Sequence, residues 1–157
     1  MELTWIDVAD TAIKIGLGSL ITAVSGYLVL IKNRSFEEDK ELRNSFYRLQ
    51  EEKKSKYVEF LSQSQSLVQS YLMSKCNCDT EEYKRYLRAF NEAQIISSDE
   101  IRMAAYKLHA AVDQFIVINK NGLEAELSRK IRKAVNDSVG YFQKISQDEV
   151  TRSYKKT

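Results

Sequence analysis

Cys76-Asn77-Cys78-Asp79 is the densest group of reactive side chains in the sequence, and His109 is its single histidine. Thiolates and imidazoles are the usual ligands of structural zinc, but such sites take four ligands, commonly as two well-spaced pairs. One cysteine pair and one histidine fall short of that within a chain. No metal is expected, and a site shared between subunits is the remaining form it could take. Neither the thiols nor His109 sit in a nucleophile motif. The sequence also lacks a Gly-rich phosphate loop, a Glu-x-x-His pair and a dinucleotide fingerprint. The reading is non-enzymatic and without cofactor, with activity from His109 or from Cys76 and Cys78 as the exception. His109 follows Leu108 on an apolar helix face, where a lone histidine is expected as a boundary or core residue.

Two basic stretches, Lys53-Lys54-Ser55-Lys56 and Arg129-Lys130-Ile131-Arg132-Lys133, and the run Tyr83-Lys84-Arg85-Tyr86 resemble phosphate-plus-stacking surfaces. Acids adjoin each of them: Glu51, Glu52, Glu81, Glu82 and Glu126. Solvated helix faces account for them, and nucleic acid is not an expected partner. The net charge of +2 is too small to argue otherwise.

The elements that carry these residues follow from composition. There is no proline, and three of the five glycines (Gly16, Gly18, Gly26) fall in one early apolar segment. The remainder has little of the punctuation that strands and tight turns need, and good helix formers fill it. The fold class expected is all-α.

Thr11 to Ile31 reads TAIKIGLGSLITAVSGYLVLI, with Lys14 its one charge. Twenty-one residues at about 1.5 Å each reach roughly 31 Å, the hydrocarbon thickness of a bilayer. Trp5 and Tyr27 suit the two interfaces. Glu2, Asp7 and Asp10 precede the run, whereas Lys32, Arg34, Lys40 and Arg43 follow it. A cleaved signal peptide has the opposite order. Basic flanks stay cytoplasmic, so the expectation is a single-pass protein of the inner (plasma) membrane, N-terminus outside and C-terminus cytoplasmic.

Asp10 stands four residues before Lys14, the favourable order for a helical ion pair, and the lysine is close enough to the outer end to snorkel. The pair is expected to neutralise itself at the membrane interface. Gly18, Thr22 and Gly26 recur every four residues, with Ser19 and Ala23 beside them. Such strips let membrane helices approach closely, so pairing with itself or with another membrane helix is expected.

Beyond the apolar run, Ser35 and Glu38 form a capping-box pattern. Leu42, Phe46, Leu49, Lys53, Tyr57, Phe60, Ser64, Leu67 and Tyr71 then recur at helical spacing to about Lys75. Asp79 with Glu82 predicts the start of a second helix that ends near Ile96. Ser97 with Glu100 predicts the start of a third. Asn121-Gly122 ends the third, and Leu123, Leu127, Ile131, Val135, Val139, Phe142 and Ile145 mark a fourth. Short links between amphipathic helices predict an antiparallel, four-helix cytoplasmic bundle on a long, coiled-coil-like stalk.

The organisation expected is thus a short extracytoplasmic tail (1–10), a transmembrane helix (11–31), a cytoplasmic stalk and bundle (32–147) and a basic tail (148–157). Arg152, Lys155 and Lys156 in that tail are candidates for contact with anionic lipid. Two functions fit. One is a membrane-anchored interaction or scaffold module that self-associates through its membrane helix and binds a cytoplasmic protein. The other is a small bacterial membrane-acting effector or regulator (a toxin, exclusion or defence component) whose anchor oligomerises on a cytoplasmic signal.

Overall fold

A computed structural model describes residues 5–72, 80–120 and 125–155. All regular structure among them is α-helical: α1 (Trp5–Ser70), α2 (Glu81–Ile96), α3 (Asp99–Lys120) and α4 (Ala125–Val150). The all-α expectation holds. The chain divides into two units, and α1 contributes to both, up to Ser45 in the first and from Phe46 in the second. Each is described by itself.

Helix α1 runs for 66 residues without interruption. The break expected at Ser35–Glu38 does not occur, and both residues lie inside the helix. A capping box satisfies donors at a helix start. It cannot create a start where the preceding residues already supply carbonyls and no Gly or Pro intervenes. The helix also begins at Trp5, inside the stretch assigned to a short tail.

In the second unit the α1 face from Tyr57 onward is the core expected: Tyr57, Phe60, Ser64, Leu67 and Tyr71 are all buried. Leu49, assigned to the same face, is exposed, as is Leu42 in the first unit. Phe60 is the hub, with ring centroids 5.9 Å from Tyr86, 5.6 Å from Phe90 and 5.5 Å from Phe142. As residue numbers rise along α1, their partners on α4 fall, from Lys53–Glu149 to Phe60–Phe142. The same holds for α1 with α2, from Lys56–Glu92 to Phe60–Tyr86. It holds again for α2 with α3, from Tyr83–Asp113 to Gln94–Arg102. Ala104, Ala105 and Val112 on α3 and Ile131, Val135 and Val139 on α4 complete the buried interior. Leu127, expected in that row, is exposed.

The helix boundaries correct the sequence in detail. Helix α1 ends at Ser70, with Tyr71 and Leu72 in a turn, five residues short of Lys75. The N-cap of α2 is Thr80, whose hydroxyl accepts from the Tyr83 backbone N–H at 3.3 Å. Asp79, the residue expected there, lies outside the described residues, as do Asn121 and Gly122. Thr80 also shares a 3.0 Å hydrogen bond with the Tyr71 hydroxyl, joining the end of α1 to the start of α2. Thr80→Ala should lower the stability of the helical domain by about 1 kcal/mol in chemical denaturation, the usual worth of an N-cap. Thr80→Ser should preserve most of it.

Ser97 is the C-cap of α2 rather than the cap of α3, because its hydroxyl donates back to the Ala93 carbonyl. Helix α3 is entered at Ser98, whose carbonyl accepts from the Arg102 N–H at 2.9 Å. Helix α4 continues to Val150, so the segment set aside as a basic tail begins inside a helix, and its Glu149 is buried.

Candidate functional site

Every large apolar side chain from Ile13 to Ile31 is 48–68% exposed, and the apolar window of this helix, of mean hydropathy 1.7, has no residue buried within the protein. A helix of this length and composition is able to cross a membrane. At its N-terminal end the Lys14 ammonium pairs with the Asp10 carboxylate, one turn earlier on the same face. Ser19 Oγ donates to the Gly16 carbonyl and Thr22 Oγ1 to the Gly18 carbonyl, each at 2.9 Å. Gly16, Gly18 and Gly26 face open space, with nothing within 4 Å of where a Cβ would stand. Gly18, Thr22, Gly26, Ser19 and Ala23 are all exposed.

The second unit holds two polar clusters that sequence reasoning did not assemble. In the first, Lys53 Nζ lies 2.5 Å from Glu149 Oε1, and the Tyr57 hydroxyl donates to Glu149 Oε2 at 2.8 Å. The Lys53 and Glu149 side chains are only 14% and 6% exposed. Burial alone would raise the Glu149 pKa. Hydrogen bonds from Lys53 and Tyr57, with the positive charges of Lys53 and Arg152, outweigh it and leave the pKa below the ordinary carboxylate value. Burial pushes the Tyr57 phenol well up; the Ser97 hydroxyl offsets part of this, while Glu149 adds to it. The phenol therefore stays a donor, as the carboxylate requires.

In the second cluster, His109 Nδ1 is 2.8 Å from the Tyr86 hydroxyl and Nε2 is 3.4 Å from Asp113 Oδ2. The Tyr83 hydroxyl reaches the other Asp113 oxygen at 3.5 Å, and Phe90 stacks on the imidazole at 4.2 Å between centroids. With an N–H on Nε2 toward the carboxylate, Nδ1 accepts the Tyr86 proton, and every polar atom of the group is used. Tyr86 is fully buried, and burial raises its pKa strongly. A general base needs a ring nitrogen that can reach a substrate proton. Both nitrogens of His109 point instead at side chains of the fold, and its chemistry holds α2 against α3.

No protein-family model, curated protein or solved structure matches this chain.

Of the remaining sequence candidates, Cys76 and Cys78 lie outside the described residues, as does Lys156. Arg152 and Lys155 are exposed beyond the end of α4, and Tyr154 between them packs on Phe46 at 5.7 Å. Among the described residues no group of three or more His, Cys, Asp or Glu is placed to hold a metal ion. The signals for the missed clusters were present. Asp113 is four residues after His109, and Ser146 and Glu149 continue the buried spacing of α4 past Phe142 and Ile145.

Proposed function

We propose that the chain is a membrane-tethered interaction module, with residues 11–31 crossing the bilayer, the N-terminus outside and the remainder in the cytoplasm as a four-helix bundle. The observation that carries this reading is the exposure of the whole apolar face set from Ile13 to Ile31, around the full circumference of the helix. Each such side chain gains about 1.5–3 kcal/mol on leaving water. The second unit has its own buried interior and does not need them. Lipid is the solvent that covers a helix on every side, and the Asp10–Lys14 pair supplies the neutral end that such a helix requires near the interface. The acids before the run and the basic residues after it support the orientation.

Within that reading, Gly18, Thr22, Gly26, Ser19 and Ala23 form the face through which the span pairs with itself or with another membrane helix. The helical domain presents the partner-binding surface, and Arg152 and Lys155 add attraction to anionic headgroups. Confinement to the membrane raises the effective concentration of the module for partners held there.

Alkaline carbonate extraction of membranes from cells expressing the full chain tests the anchor. The protein should remain in the pellet, and replacing Leu20 and Val24 by Arg should move it to the supernatant. Release of the unaltered chain by carbonate sinks the proposal. Single cysteines at 18, 22 and 26, in a chain lacking Cys76 and Cys78, should crosslink in membranes more strongly than cysteines at 20 and 24. Equal yields would end the pairing face.

A further inference from the structure

The last two turns of α4 are joined to α1 by a different kind of contact from the turns before them. Up to Phe142 the join is carbon on carbon, with the Phe142 ring 5.8 Å from Tyr57 and 5.5 Å from Phe60. From Ser146 onward polar contacts enter it, with Val150 still packed against the core. Glu149 holds Lys53 and Tyr57, and Ser146 Oγ, in a side chain only 6% exposed, has no hydrogen-bond partner. Gln50, one turn before Lys53 on α1, leaves its Oε1 equally unpartnered at 8% exposure.

A buried polar atom without a partner costs its desolvation and returns nothing. A buried ion pair, set against apolar side chains of the same volume, often adds little. The packing is also open here. A groove of about 390 Å³ runs between Tyr57, Val58 and Leu61 of α1 and Ser146 and Val150 of α4. Opening this end would return water to the Ser146 hydroxyl, and rehydration of Lys53 and Glu149 would offset part of the loss of their bond. The turns before it have no such gain, because their contacts are aromatic and aliphatic.

We propose that Gln143 to Val150 form a latch, a segment that leaves α1 as one unit while Ile131 to Phe142 stay docked. Closed, it covers Tyr57 and part of Leu61; released, it bares that strip of α1 together with Ile145 and Val150. Segments that open below the global unfolding free energy are the usual source of such two-state elements. The latch lies wholly within the helical domain and does not depend on where the chain is anchored.

Hydrogen exchange of the full chain in detergent, resolved along α4, tests it. Amides of 143–150 should exchange together, at least about tenfold faster than those of 131–139, and should depend little on low urea. Simple fraying reaches only the final turn, so exchange of 143–146 at the rate of 131–139 would overturn the latch. Lys53→Met, a change on α1, should accelerate 143–150 as a block by about tenfold or more. Ser146→Ala should slow the same block several-fold, which keeps the test decisive if the Lys53 variant fails to fold. Exchange of 143–150 that responds to neither substitution would also overturn it.

Discussion

Phe60→Ala should cost the helical domain roughly 4 kcal/mol, the loss expected when a fully buried Phe is cut back in a core that relaxes only partly. Phe60 meets aromatic partners from two other helices, Tyr86 and Phe90 on α2 and Phe142 on α4. Its removal leaves a cavity that none of the three can fill without giving up a ring contact with another neighbour. Domains have only about 5–15 kcal/mol in hand, so a large share of the stability should go. Denaturation followed by far-ultraviolet circular dichroism measures it. The variant also separates the two units: carbonate extraction should be unchanged, because no residue of this core lies in the proposed span. A loss below about 1 kcal/mol would mean that Phe60 is not the hub.

Glu149→Ala should cost about 3 kcal/mol, because it strands the Lys53 ammonium and the Tyr57 hydroxyl in a region that water scarcely reaches. The remedy is as diagnostic as the damage. Glu149→Leu combined with Lys53→Met removes both charges, and the double variant should recover most of the stability lost by either alone. Acid should mimic the single change. The Glu149 pKa is lowered in the fold, so its contribution is fully present above the unfolded value of 4.5 and is lost as pH falls through the lower folded value. Below that range the unaltered protein and Glu149→Gln should converge in stability. Unfolding midpoints that kept their separation down to the lowest pH would refute the assignment.

Much of this fold could be read from spacing alone, and the failures have physical reasons. The apolar faces of α2, α3 and α4 followed the helical period, because each helix packs on one side. The same period misled on α1: Leu42 and Leu49 obey it but are exposed, since periodicity marks a face without saying what covers it. The capping pattern at Ser97 reads either way because Ser and Thr bond to either helix end, whereas that at Ser35 falls where the helix already runs on. Glu149 was missed for a related reason. A carboxylate at a core position reads as the end of a helix face until its partner, 96 residues away at Lys53, is seen. His109 was placed correctly at the edge of an apolar face. Its relation to Tyr86 was invisible, because contacts between helices leave no mark in the spacing of either.

The inward-turned hydroxyls of Ser19 and Thr22 bear on how the N-terminal helix chooses its company. With both donors satisfied by carbonyls of their own helix, what it offers a neighbour along that side is contour, shallow where Gly18 and Gly26 omit a side chain. Selectivity would then be steric rather than polar. Swapping the two hydroxyls for methyls should be silent, whereas filling either glycine notch should not.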